Sequence, residues 1–236
     1  MRLARNAFKE MRKLKTRPEA IEIDFAKSAI VIVDMQNAFA SKGGTLDIAG
    51  ADLSEAPAVV RAIREVLDAA RAAGITVAHL QMGYKPDLSN AGGARSPNYY
   101  KETAMHLMCS KPELKGQLLT EGSWDFAVVE ELAPQPGEIT ITKTRYSGFA
   151  GTTLDSQLRV RGIQYLFFAG IAANVCVEST LRDAYFLDYW PILLADATLA
   201  AGGRQMYEAT LFNVESFFGW TVDSDELRTA LSAPRG

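Results

Sequence analysis

Residues 29–33 read Ala-Ile-Val-Ile-Val, five apolar positions in a row, and the next residue is Asp34. A run this short and this rich in β-branched side chains predicts a strand. A strand without alternation must be covered on both of its faces. Apolar or β-branched runs recur at 75–80, 138–143, 165–170 and 191–195. Between them lie amphipathic stretches. Over 58–73 the spacing puts Val59, Ile63, Val66, Leu67 and Ala70 on one helical face, with Pro57 suited to the first turn and Gly74 to the stop. Helices are also predicted over 153–161, 175–189 and 204–217, and after Ser224. Strands alternating with helices predict an α/β fold: three layers, a mainly parallel, Rossmann-like sheet with helices on both faces. The segment 85–115 is polar and long for a connection, which predicts a lid or binding loop.

With 48% apolar residues in a chain of 236, one sizeable core is affordable in area, and a single domain is expected over 18–236. Residues 1–17 carry seven Lys/Arg against Glu10 and read as a basic arm, solvated or lying on the surface as a short helix. A formal net charge of −3 gives no basic balance that would demand nucleic acid. No run of 18 apolar residues occurs, so no membrane span is predicted and a cytoplasmic location is expected. Two cysteines and two histidines, His79 and His106, exclude a disulfide scaffold, a four-cysteine zinc site and a three-histidine metal site. Neither a metal nor a cofactor is expected. Gly43-Gly44 and Gly202-Gly203 lack the glycine fingerprint of a dinucleotide fold. Cys109 reads as an ordinary thiol. Phe212, Phe217, Phe218 and Trp220 are more apolar surface than a terminal helix on a monomer needs, which predicts a homo-oligomer.

In open parallel sheets the site lies at the carboxyl ends of the strands. The first long strand ends at Asp34 and the 138–143 strand at Lys143. The 165–170 strand runs through Gly170-Ile171-Ala172-Ala173-Asn174-Val175 into Cys176. A carboxylate, an ammonium and a thiol therefore meet on one sheet edge. A thiol of ordinary pKa is only a few per cent thiolate at neutral pH. A helix N-terminus and Lys143 are both expected to lower that value, while Asp34 can accept the thiol proton and return it to a leaving amine. Small residues after Gly170 let the backbone approach a substrate closely, so amides there can hold an oxyanion. The alternative is a non-enzymatic α/β binding domain in which Cys176 is a buried, inert side chain. Candidate substrate contacts are Phe39, Tyr84, Asn98, Arg145 and Tyr146, with Trp220 a further aromatic candidate. Arg95, Asn98 and Arg145 are donors available to a substrate carboxylate.

The stretches AIVIVDMQNAF, ITKTRYSGF and GIAANVCVESTLRDAYFLDY, in this order and spacing, resemble the isochorismatase-like cysteine hydrolases. The resemblance runs from Arg17 to the C-terminus. It implies an Asp-Lys-Cys triad at Asp34, Lys143 and Cys176. It also implies a cis peptide at Ile171–Ala172 and an oxyanion hole from the Ala172 and Cys176 amides. The activity implied is hydrolysis of a ureido C–N bond in a small ureide, without a metal. Met82, Ala173 and Gly151 stand where the family's ureide hydrolases carry Asn, Thr and Asn, and they leave the triad intact.

Overall fold

The computed structural model describes residues 11–233. The chain opens with an antiparallel hairpin, β1 (Met11–Leu14) against β2 (Ile21–Asp24). Strand β3 (Ser28–Val33) follows, then two short helical turns, α1 (Asn37–Ala40) and α2 (Thr45–Ile48), and the long helix α3 (Ala56–Ala73). Next come β4 (Thr76–Met82), α4 (Pro97–Lys101), α5 (Thr103–Ser110), β5 (Ile139–Lys143), α6 (Leu154–Val160) and β6 (Tyr165–Ile171). The chain continues through α7 (Glu178–Phe186), β7 (Trp190–Leu199), α8 (Arg204–Asn213), β8 (Trp220–Val222) and α9 (Ser224–Ser232).

Six strands form one parallel sheet in the order β5-β4-β3-β6-β7-β8. Strand β3 lies inside it, and all six of its residues are buried. Its side chains alternate between two cores. Ile30 and Ile32 join Val59, Ile63, Leu67 and Leu227 on one face. Ala29, Val31 and Val33 join Leu154, Leu158, Leu181 and Val214 on the other. Helices therefore cover both faces, which is why this strand carries no polar alternation. Helix α3 buries the five residues named from its spacing, and Gly74 closes it at φ +71.

The N-terminal boundary is corrected by the structure. Residues 11–17 are not an arm. Leu14 is wholly buried, β1 pairs with β2, and Arg17 pairs with Thr221 beside the sheet's edge. Arg12 donates to the Ala230 carbonyl, and Arg17 forms ion pairs with Glu215 and Asp223. The cations that made this stretch look solvated are thus partly engaged with the C-terminal part of the fold. Residues 1–10, the rest of the proposed arm, lie outside the described residues.

Segment 85–115 is not a bare loop. It carries α4 and α5 and sinks Ala104, Met105 and Met108 into the core. Strand β7 runs four residues past its predicted end, and β8 is three residues that no pattern announced. Among the described residues, no helix is long and apolar enough to cross a membrane.

Candidate active site

The carboxyl ends of β3, β5 and β6 sit together because β3 lies next to β6 and one strand away from β5. Asp34 follows β3 directly. Its backbone is held in the left-handed region at φ +52, a conformation that aspartate tolerates better than a β-branched residue. The main chain is pinned there by its own amide donating to Leu80, while the Met82 amide donates to Asp34 Oδ1 at 3.0 Å. Gln36 fills the space beneath. It accepts from the Met82 amide at 2.8 Å and donates to the Met82 and Phe126 carbonyls.

Lys143 is the last residue of β5 and places Nζ 2.7 Å from Asp34 Oδ2, with neither side chain exposed. The same ammonium donates to the Arg145 carbonyl at 3.2 Å and touches the Met82 sulfur at 3.8 Å. Cys176 is buried on a wide helical turn, Ala173–Val177, that leads into α7. Its thiol lies within hydrogen-bonding reach of both Asp34 and Lys143. Three residues from distant parts of the sequence thus form one buried cluster.

Two features bring the thiol to that position. The first is Gly170, at φ +123. A Cβ there would sit 2.0 Å from the Val33 carbonyl oxygen, so only glycine lets β6 press against β3 at this level. The second is Thr180. Its hydroxyl donates to the Cys176 carbonyl at 2.6 Å and accepts from the Gly148 amide at 3.0 Å, joining the turn that carries Cys176 to the loop after Lys143. The peptide bond Ile171–Ala172 is cis. The Ala172 carbonyl accepts from the amides of Val175 and Val177, which closes the turn between β6 and Cys176.

The electrostatics correct one expectation. Burial pushes the Cys176 thiol well above the ordinary thiol range, with Asp34 adding to the rise and Lys143 opposing it. The resting sulfur is therefore a thiol, because the low-dielectric surroundings outweigh the cation beside it. Burial also raises the Asp34 carboxyl, opposed by Lys143, which makes Asp34 a stronger base than a solvated aspartate. The Lys143 ammonium is held charged by Asp34 despite its own burial.

The other candidates divide. Tyr146 is half-buried, and its phenol is pushed up to about 12 by burial and by the neighbouring Glu102. Arg145 lies next to it and places its Nη1 2.6 Å from the Thr144 carbonyl. Tyr84 is wholly buried. Asn98 is also turned inward: its Nδ2 donates to the Tyr84 hydroxyl at 2.9 Å and to the Ala91 carbonyl at 3.3 Å. Both amide hydrogens are thereby engaged within the protein. Phe39 is packed in the core with Met35 and Ala38. Arg95 is exposed. Trp220 lies on β8 and stacks on Trp190 with ring centroids 5.1 Å apart, at the far end of the sheet from β5. Sequence reasoning missed Glu102, Thr180 and Gln36. The signal for Glu102 is its place just before the apolar Ala104, Met105 and Met108 of a helix start. Among the described residues, no group of three His, Cys, Asp or Glu side chains is arranged to hold a metal ion.

A family model described as an isochorismatase domain matches residues 28–226. The chain is 53% identical over 219 residues to a ureidoacrylate amidohydrolase of Azorhizobium caulinodans, covering 93% of this chain and 96% of that one. It is 50% identical to a ureidoacrylate amidohydrolase of Agrobacterium fabrum, with the same coverage of each chain. Among solved structures it is similar to a cysteine hydrolase from Pseudomonas syringae pv. phaseolicola, with TM-score 0.73 and 28% identity over 89% of this chain and 94% of that one. It is also similar to the N-carbamoylsarcosine amidase of Thermoplasma acidophilum, with TM-score 0.63 and 26% identity over 84% and 97% of the two chains. With the sheet order, the strand-end cluster and a family match spanning most of its length, the chain belongs to the isochorismatase family.

Proposed function

We propose that this chain is a cysteine amidohydrolase that cleaves the ureido C–N bond of ureidoacrylate, giving aminoacrylate and carbamate. The observation that carries the reading is the 2.7 Å contact between Lys143 and Asp34 with the buried Cys176 thiol in reach of both. Relatives named for this activity at 50–53% identity support the choice of substrate.

In the proposed mechanism Asp34 takes the thiol proton as Sγ attacks the ureido carbonyl carbon. Burial acts on this step in two opposite ways: it strengthens Asp34 as a base and it raises the thiol that Asp34 must deprotonate. The oxyanion of the tetrahedral intermediate is held by the amides of Ala172 and Cys176, beside the Lys143 charge. The intermediate collapses by breaking the C–N bond, and the departing nitrogen takes the proton from Asp34. A carbamoyl thioester remains on Cys176. Water attacks it while Asp34 takes a proton from the water, and that proton returns to sulfur as carbamate leaves. Base, fixed positive charge and nucleophile are all supplied by these three side chains, so the scheme calls for neither metal nor cofactor.

A ureide without a carboxylate, of the biuret or guanylurea type, is the second reading. It is favoured by Met82 and Ala173, apolar and buried where the pattern of ureide hydrolases has polar side chains. We also propose a homo-oligomer acting in the cytoplasm. Phe186, Phe212 and Phe217 are 60–65% exposed and join Tyr185 and Phe218 in one aromatic cluster, an apolar patch of the kind that marks interfaces. Light scattering tests that, and a species of the 25.8 kDa chain mass alone would refute it. The substrate test is ammonia or pyruvate release from a panel of ureidoacrylate, biuret, guanylurea, nicotinamide and isochorismate. The highest kcat/KM is expected for ureidoacrylate. A higher value for biuret or guanylurea would overturn the substrate, and inactivity on every ureide would overturn the reaction class.

A further inference from the structure

Cys176 is flanked, two residues before and two after, by side chains that the proposed chemistry does not use. Both fasten its turn to α8 and the loop that leads into it. Glu178, the first residue of α7, is 7% exposed. Its Oε1 accepts from Arg182 Nε at 3.0 Å and Nη2 at 2.5 Å, and from Asn213 Nδ2 at 3.1 Å. Its Oε2 accepts from the Thr210 hydroxyl at 2.6 Å. Thr210 and Asn213 belong to α8, and Thr210 is itself buried. On the other side of Cys176, Asn174 Nδ2 donates to the Ala201 carbonyl and Oδ1 accepts from the Ala201 amide, both at 2.9 Å. Ala201 lies in the loop between β7 and α8.

The turn between these anchors is wider than an α turn. The Glu178 amide closes it on the Ala173 carbonyl, five positions back, and the Val177 amide closes on Ala172 in the same way. Such a turn holds one residue more than an α-helix does, and turns of this kind are frequent at functional sites. Relaxing it to an α turn would shift the register by one residue, about 100° of rotation about the helix axis. That would re-aim the Cys176 side chain, which is buried here at the carboxyl end of β6. Glu178 carries both the amide that closes the turn and the carboxylate that is fixed on α8, so it opposes the slip at both points.

Adhesion between α7 and α8 does not require this arrangement. A buried ion pair carries a desolvation cost, and apolar side chains of similar size often hold helices together as well. Leu181, Leu211 and Val214 supply such packing here. What the Glu178 carboxylate adds is direction, since donors from two helices converge on it.

We propose that Glu178 and Asn174 are positioning residues, which fix the turn carrying Cys176 to α8 and its entry loop and so hold the thiol at the distance and angle from which it attacks. The inference rests on the reading of Cys176 as the nucleophile. Neither side chain has to touch the substrate. Loosening either is a loss of alignment rather than of binding, and misplacing a reacting atom by about 1 Å can cost about a hundredfold.

The test measures kcat and KM on the ureide that the enzyme turns over best, and the rate at which iodoacetamide alkylates Cys176 in a Cys109→Ser background without substrate. Glu178→Gln keeps the shape and exchanges one acceptor oxygen for a donor. Thr210→Val with Asn213→Ala removes the α8 donors and leaves Glu178 paired with Arg182. Asn174→Ala cuts bonds near the surface, where water replaces them, so this variant keeps the fold even where the others do not. In each, kcat is expected to fall about tenfold or more with KM within about twofold of the wild type. Alkylation is expected to become about threefold faster or more as the turn loosens and the thiol gains access to solvent. Urea midpoints show which variants are folded under the assay conditions. The proposal is overturned if the folded variants keep kcat within about threefold, if the loss appears in KM instead, or if alkylation is no faster. A lower urea midpoint with kcat and alkylation unchanged marks a purely structural role. If the wild type hydrolyses no ureide, the reading of the reaction fails, and the alkylation rates alone then decide the role of Glu178 and Asn174.

Discussion

Replacing Lys143 with methionine leaves the Asp34 carboxylate fully buried with its counter-charge gone. Breaking a buried ion pair from one side costs about 3–5 kcal/mol, because the surviving charge is neither paired nor hydrated. For a chain of this size each kcal/mol moves Tm by roughly 2–4 °C, so Lys143→Met is expected to melt roughly 6–20 °C below the wild type. Asp34→Asn combined with Lys143→Met removes both charges and is expected to regain at least half of the loss. The pH dependence follows from the direction of the Asp34 shift. Burial already raises its folded-state pKa above the unfolded value, and Lys143 is the charge that opposes the rise. Without Lys143 the folded variant binds a proton more tightly than its unfolded chain does. Its stability therefore rises as pH falls through the folded-state pKa, and the deficit is larger at about pH 8 than at about pH 5. Urea unfolding at several pH values, followed by circular dichroism, reads all three quantities. A loss below about 1 kcal/mol, a double variant no better than the single one, or a deficit flat with pH would refute the reasoning.

Cys176→Ser is expected to fold as the wild type does and to lose turnover by several orders of magnitude, since a hydroxyl is a far weaker nucleophile; retained steady-state activity in the pure variant would unseat the thiol. Because burial raises the Cys176 thiol, a Cys109→Ser protein without substrate should be alkylated by iodoacetamide at pH 7 more slowly than a free cysteine, with the rate still climbing above about pH 9. Faster labelling than the free thiol would show a stabilised resting thiolate instead. Gly170→Ala puts a Cβ 2.0 Å from the Val33 carbonyl oxygen and is expected to cost about 3 kcal/mol or more, read as a fall in the urea midpoint. Chelators are expected to leave ammonia release unchanged, and activity lost to EDTA and restored by zinc or manganese would contradict the three-residue mechanism.

The sequence makes the sheet and the cluster legible for one shared reason. In a parallel sheet every strand ends on the same edge, so finding the apolar runs finds Asp34, Lys143 and the turn before Cys176 together. Strand β3 is legible because both of its faces are buried, which leaves five apolar residues in a row. The N-terminal hairpin is not legible. What holds it is contact with Thr221, Ala230 and Asp223, some two hundred positions away, and no local pattern records that. Glu102 escapes notice because its burial depends on how 85–115 folds back over the sheet, and its neighbours in sequence are mostly polar. The sign of the thiol shift depends on a contest between burial and one cation. Residue types name the contestants, and only the packing around Cys176 decides which of them prevails.

The hairpin bears on how the molecule is made. Arg12 reaches the carbonyl of Ala230, 218 positions later, and the Lys15 amide reaches Glu226. During synthesis β1 and β2 emerge some two hundred residues before the surface they bind. Until β8 and α9 appear, Arg12, Lys15 and Arg17 lack these partners. The nascent chain thus carries an unfilled berth while those residues are made, and long-range closures of this kind are slow and prone to association. A stall before Ala230 would leave the sheet without this latch, so closing it is also a check that residues up to Ala230 have been made.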